Sequence, residues 1–103
     1  MNHLALSGTV IERKALRYTP AGLPALDLVL RHESSVTEAG GERKVSIDLR
    51  AVALGDIAEP LARWDIGTSL EARGFLSAQR NGRGTVFHIT QIQRSEAAAP
   101  SPI

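Results

Sequence analysis

The chain contains no cysteine and few aromatic residues, with one Trp, one Tyr and two Phe among 103 residues. The absence of Cys excludes disulfide frameworks, thiol chemistry and zinc–cysteine sites, and it is compatible with a reducing cytoplasm. No stretch approaches the roughly 20 apolar residues of a membrane-spanning helix. Residues Met1–Leu4 lack the basic and apolar regions of a secretion signal, so we expect a cytoplasmic protein.

Signatures of catalysis and metal binding are also absent. His3, His32 and His88 fall in three separate segments, and none has a second ligand at metal spacing. The sequence contains no Ser-His-Asp arrangement, phosphate-binding Gly-rich loop or H-E-x-x-H pair. Asp27 and Asp48 are the only acids that suggest a carboxylate pair, and sequence does not define their separation. We predict a protein that is not an enzyme and has no cofactor or metal.

The net charge is only +1, which argues against nucleic-acid binding through bulk charge. The distribution is more informative than the sum. Ala72–Thr85 carries three Arg and no acid, and Arg13–Leu26 carries three cations and no acid. Acids are concentrated elsewhere, in the polar stretch Glu33–Glu42 and around the one helical segment. Two acid-free basic segments therefore predict local contacts with a polyanion.

A hairpin is predicted at the first basic segment. Thr19-Pro20-Ala21-Gly22 places Pro where φ near −65° is needed and Gly where a left-handed residue reverses the chain. Strand-like runs precede and follow it, and cations and an aromatic ring stand at its base. These four candidate DNA contacts are Arg13, Lys14, Arg17 and Tyr18. Tyr18 either stacks on a base or covers the barrel edge.

Five runs have strand character, and Glu33–Glu42 reads as a polar loop ended by two glycines. The five predicted strands are Leu4–Leu16, Leu23–His32, Arg43–Leu54, Ser69–Gln79 and Thr85–Gln93. Between the third and fourth, apolar residues recur at spacings of three and four over Gly55–Trp64, which predicts one short helical segment interrupted by Pro60. The second basic segment ends in an N-G hairpin with Arg80 and Arg83 at its tip.

This order predicts an all-β protein, a five-stranded OB-fold barrel with one short helical segment between strands 3 and 4. We expect residues 1–94 to form this domain, a single-stranded-DNA-binding domain, and residues 95–103 to form a disordered Ala/Pro-rich tail. The predicted inward residues are Leu6, Val10, Leu28, Leu30, Val45, Ile47, Leu70, Ala72, Leu76 and Ile89.

Three aromatic residues and one glycine carry further structural expectations. Trp64 continues the helical apolar spacing and is predicted to plug the core. Phe75 and Phe87 have apolar neighbours, so burial in the core or a dimer interface is expected. Gly74 inside a strand predicts a tight bend or a close approach of another backbone segment.

Several segments are distinctive beyond their periodicity. They are the opening L-x-L-S-G-T-V, the turn R-Y-T-P-A-G-L-P, the run V-L-R-H, the loop ending E-A-G-G-E-R, and A-R-G-F-L-S followed by a basic N-G hairpin. Together they resemble the bacterial PriB family, the primosomal replication proteins N, over nearly the whole chain to about Arg94. The turn and the G-F-L element are also similar to bacterial single-stranded-DNA-binding proteins, the parent family.

The resemblance implies a homodimer that binds single-stranded DNA and acts in replication restart, bridging the PriA helicase to DnaT-like helicase-loading factors. Carried over by position, the DNA contacts fall on Arg43, Ser46, Arg80 and Arg83. Well-known members of the family carry aromatic residues near Gly41 and Ser46, and this chain has neither. Because stacking contributes roughly 1–3 kcal/mol per base, we expect weak, largely electrostatic binding.

Alternative interpretations remain at this point. Lys44 is a further candidate contact, but it shares an outward strand face with Asp48, so a merely solvated face is the competing interpretation for Lys44 and Arg50. An OB surface can also serve mainly to bind proteins. A mixed-sign outer face favours such an interaction module, and a continuous positive strip favours DNA. A short general single-stranded-DNA-binding protein is the third possibility.

Overall fold

The computed structural model describes residues 1–95, so the predicted tail lies outside the described residues except for Ser95. Six strands and one short helix make up the described chain. They are β1 (Leu4–Arg13), β2 (Arg17–Tyr18), β3 (Pro24–Glu38), β4 (Gly41–Leu54), α1 (Ala58–Arg63), β5 (Ser69–Ala78) and β6 (Thr85–Arg94). No helix among these residues is long and apolar enough to cross a membrane.

Five of the strands close into a barrel, which confirms the predicted fold. The hydrogen-bonded order is β1-β5-β6-β4-β3, and β3 pairs again with β1. All neighbours are antiparallel except β4 and β6, which run parallel over a short contact centred on the pair Val52 and His88. β1 pairs with two strands: residues Leu4–Thr9 pair with β5, and residues Thr9–Arg13 pair with β3. A register shift between Val10 and Glu12 interrupts the second pairing. The two-residue β2 pairs with β3 outside the barrel.

The barrel interior contains the apolar side chains that alternation predicts. Six predicted inward residues are buried: Val10, Leu28, Leu30, Leu70, Ala72 and Ile89. Phe87 and Leu61 complete the centre, and the half-buried Trp64 packs against it as expected. Leu6 and Val45 are only half-buried. The prediction was wrong for Ile47 and Leu76, which are 46% and 37% exposed, because both lie where their strands extend past the closed part of the barrel.

The polar loop predicted at Glu33–Glu42 is instead a β-hairpin. β3 and β4 pair without interruption from Ala25↔Leu54 to Glu38↔Gly41. The turn is made by Ala39 (φ 53°) and Gly40 (φ 79°), and two positive φ values correspond to the tight turn that suits a twisted hairpin. β1 and β6 do not pair with residues 31–48 beyond Arg31, so this segment projects from the barrel. We call residues 31–48 the arm.

The first turn and the helix follow local sequence rules. The Gly22 amide donates to the Thr19 carbonyl at 2.8 Å, and Gly22 has φ 88°, as the T-P-A-G turn predicts. The helix is shorter than the predicted Gly55–Trp64, because residues 55–57 form a turn before it begins. Pro60 falls in the first turn of α1, where a missing amide donor leaves no helical hydrogen bond unmade.

Candidate nucleic-acid interface

An open groove of about 400 Å³ crosses the outer face of the barrel. One wall is the first turn, with Arg17, Thr19 and Pro20. The opposite wall is the β5–β6 hairpin, with Ala78, Gln79 and Arg80. The floor consists of strand residues that point away from the core, namely Asp27, Val52, Leu54, Val86 and His88. In a five-stranded OB-fold, the loop between the first two barrel strands and the loop between the last two flank the ligand. In this chain these loops are the first turn and the β5–β6 hairpin, which form the two walls.

The floor continues as a row across four strands. The register pairs Asp27 with Val52, Val52 with His88, and His88 with Phe75. The Phe75 and His88 rings are stacked, with centroids 4.7 Å apart and planes inclined by 9°. Phe75 is 38% exposed, so it is not buried in the core. The other expectation, burial in a dimer interface, stays a prediction. The strand position of Phe75 alternates with the buried Ala72 and Gly74, which leaves its side chain on the outer face.

Arg17 and Asp27 form an ion pair within the groove. The guanidinium donates from Nε to Oδ2 at 2.7 Å and from a terminal nitrogen to Oδ1 at 3.2 Å. These hydrogen bonds hold the pKa of Asp27 below its ordinary value, although partial burial opposes the shift. The Asp27 carboxylate is therefore ionised at neutral pH, and it offsets the charge of Arg17. Arg17 contributes less free positive charge than its sequence position suggests.

The tip of the β5–β6 hairpin carries two arginines, Arg80 and Arg83. Arg80 lines the groove, and Arg83 lies beyond it on the exposed tip. The Arg83 amide donates to Asn81 Oδ1 at 2.8 Å, which fixes the turn. Among residues 1–95, neither guanidinium makes a salt bridge. Arg50, opposite Val29 on the same outer face, is likewise unpaired within that range.

The arm contains three predicted contacts, and none of them lines the groove. Arg43 forms an ion pair with Glu38 at the arm's end. Lys44 lies opposite Ser35, and Ser46 lies opposite Glu33. Farther along, Arg31 and Asp48 form another ion pair at 2.8 Å. The outer face of the arm thus has mixed charge, whereas the Arg43–Glu38 pair lies on the opposite face, with Val36.

The remaining candidates lie near the base of the first turn. Arg13 is half-buried, and its Nη1 donates to the Trp64 carbonyl, which ties β1 to the end of α1. Lys14 is exposed, and it is near enough to Asp27 to help lower the pKa of that carboxyl. Tyr18 is 62% exposed and does not line the groove. The structure therefore brings Arg17 and Arg80 to the groove, and it places Lys14 beside Asp27, where it does not line the groove.

Sequence reasoning did not select three side chains that share this outer face: Phe75, His88 and Arg50. The available signal was strand parity, since Phe75 alternates with Gly74 and His88 with the buried Phe87. Their proximity depends on the β5–β6 register, which sequence alone does not define. Among residues 1–95, no three His, Asp or Glu side chains are grouped closely enough to hold a metal ion.

The family model and the similar proteins of known name point to the same family. The model of a family described as "Another single-strand binding protein family" matches residues 2–91. The replication restart protein PriB of Bordetella pertussis is 50% identical over 95 residues, covering 91% of this chain and 89% of that protein. The PriB of Nitrosomonas europaea is 34% identical over 89 residues, covering 85% and 82%.

Solved structures agree. PriB from Ralstonia solanacearum superposes with a TM-score of 0.84 at 35% identity, covering 91% of this chain and 97% of that one. The single-stranded DNA binding protein from Thermus aquaticus superposes with a TM-score of 0.75 at 30% identity, covering 95% and 52%. In fold and in sequence, the chain belongs to the PriB family of single-strand binding proteins.

Proposed function

We propose that this protein is a primosomal single-stranded-DNA-binding protein that acts in replication restart in the bacterial cytoplasm. The observation that carries the proposal is the groove on the outer barrel face, which has Arg80 on its wall and the exposed Phe75 and half-buried His88 rings on the adjoining floor. Family membership supports the same conclusion. The proposed role is binding and bridging, with no catalytic step.

The groove suits a single strand better than a duplex. It is open and shallow, and its floor is formed by Val52, Leu54 and His88, which offer apolar and aromatic surface to unpaired bases. Bases in a duplex are stacked on each other and present only their edges in the grooves. Arg80 and Arg83 on the β5–β6 hairpin can bind the phosphates. The contact surface is therefore divided between backbone and bases.

Salt dependence tests this proposal. Each phosphate contact should add roughly 0.7 to the slope of log affinity against log salt. Because only Arg17 and Arg80 among the cations of residues 1–95 line the groove, the total slope should stay modest. We expect fluorescence anisotropy to show binding to a labelled single strand that weakens with salt, and weaker binding to a duplex of equal length. Absence of binding to the single strand at low salt would refute the proposal.

A protein-binding role has separate support. The arm's outer face carries the Arg31–Asp48 pair together with Glu33 and Lys44, so it is not a continuous positive strip. This mixed face suits a folded protein better than a phosphate backbone. We assign the groove to DNA and the arm to the proposed primosome partners, the PriA helicase and DnaT-like factors. An interaction module with little nucleic-acid affinity is the alternative.

The inner face of the arm supports a homodimer. Val36 and Ile47 are exposed there by 45% and 46%, and Val45 lies between them. The strand segment Leu4–Gly8 pairs with β5 along one edge only, since its pairing with β3 begins at Thr9. Among residues 1–95, no strand covers its other edge, although the Ser7 carbonyl accepts a hydrogen bond from His32 Nδ1. A second copy can cover both features.

Ile47→Glu should therefore convert dimer to monomer at micromolar concentration. Sedimentation of the natural protein should give twice the chain mass of 11.0 kDa, and the variant should move towards a single chain. Lys44→Glu, on the arm's opposite face, is the matched control and should remain dimeric. A natural protein that sediments as one chain would count against the dimer.

A further inference from the structure

The stacked rings of Phe75 and His88 lie on the outer face of the barrel, where Phe75 is exposed and His88 is half-buried. The inward side chain that adjoins this pair on β6 is Phe87, which is fully buried. Two parallel rings leave one outer face on each ring, where a third flat ring can add to the stack. The arm, residues 31–48, contains no Phe, Trp or Tyr, so this pair is a separate flat surface.

His88 joins two neighbouring depressions. It lines the groove that holds Arg80, and it also lines an adjacent depression of about 340 Å³ with Phe75, Val52 and Leu54. A strand that leaves the arginine wall therefore meets the ring pair directly. Because the Asp56 carboxylate also lines the second depression, a phosphate is disfavoured there, and the depression suits a base.

We propose that Phe75 and His88 form a base-stacking subsite, in which an unpaired nucleobase adds to the ring pair above Val52 and Leu54 while the backbone passes Arg80. This inference rests on the proposed single-strand function and deepens it. It assigns the stacking contribution to β5 and β6, on the far side of the groove from the first turn. An apolar protein side chain is the competing occupant, and it predicts no dependence on bases.

The test compares two labelled oligonucleotides of equal length, oligothymidylate and one with consecutive abasic sites. Both carry phosphates, and only the first carries bases. Since one stacked base contributes roughly 1–3 kcal/mol, Phe75→Leu should weaken oligothymidylate binding about fivefold or more. Its affinity for the abasic strand should be unchanged. Ile66→Ala is the control, because it removes an exposed apolar side chain that lines neither depression, and it should leave the ratio of the two affinities unchanged.

The outcomes distinguish failure of the proposed single-strand binding from failure of the stacking subsite. If the natural protein binds neither strand, the proposed function itself fails. If it binds, but Phe75→Leu and His88→Leu both leave the affinity ratio unchanged, the subsite is overturned. If Phe75→Leu abolishes binding of both oligonucleotides, the fluorescence of a Phe75→Trp variant tests the subsite instead. Its added emission should be quenched by oligothymidylate and not by the abasic strand, and equal emission with both overturns the subsite.

Discussion

Gly74→Ala should lower the free energy of unfolding by about 3 kcal/mol or more, in the range of severe steric changes in a packed site. An ideal Cβ at position 74 would lie 1.8 Å from the His88 carbonyl oxygen and 2.8 Å from its carbon. Both are backbone atoms of the paired strand, so no side-chain rotation relieves the clash. The register also shifts here, between Arg73 and Gly74, which brings the chains close. Equilibrium denaturation measures the loss.

Gly41→Ala provides the matched control. Its φ is not in the left-handed region, and an added Cβ would meet only the Glu38 carbonyl oxygen at 3.8 Å, an ordinary contact. We expect a change within about 0.5 kcal/mol, as for most surface substitutions. If Gly74→Ala were as mild as Gly41→Ala, the close approach of β5 and β6 would be disproved.

Replacing Arg80 and Arg83 together by Ala should weaken single-strand binding about tenfold or more at low salt and flatten its salt dependence. Each phosphate contact contributes roughly 0.7 to the slope, so losing two should lower the slope by about 1.4. Neither guanidinium has an ion-pair partner within residues 1–95 that offsets its charge. Anisotropy titrations at several salt concentrations measure both quantities.

Arg63→Ala removes one charge from α1, which does not line the groove, and it should change affinity little. Tyr18→Ala should also have a smaller effect than the Arg pair. If the double variant keeps the natural affinity and slope, the hairpin is not a DNA clamp. The protein-interaction alternative then becomes the better description.

The barrel was predictable because one face of each strand is buried. Val10, Leu28 and Ile89 each alternate with more exposed neighbours, and that period identifies strands without knowledge of their partners. The arm was not predictable on this basis. Its residues on β3 are mostly polar on both faces, so no alternation marks them as a strand. The turn was also difficult to predict from the sequence, because Ala39 has φ 53° and a non-glycine residue seldom adopts that conformation.

The cations of the site were predictable, and their partners were not. Arg17 and Asp27 are ten residues apart, and only the hairpin between them brings the two side chains together. Arg43 similarly meets Glu38 across the arm's turn. Local sequence shows which residues carry charge, whereas the register decides which charges are cancelled. The same holds for Phe75 and His88, whose contact depends on strand pairing.

The short parallel contact between β4 and β6 joins two hairpins. β3–β4 and β5–β6 close over short loops, whereas Val52 and His88 are 36 residues apart, so we expect their non-local pairing to form after the hairpins. The groove floor crosses this seam between Val52 and His88. A ligand bound there bridges both hairpins, so it binds only the closed barrel and resists local opening of the seam. Occupancy of the groove is thereby coupled to barrel closure.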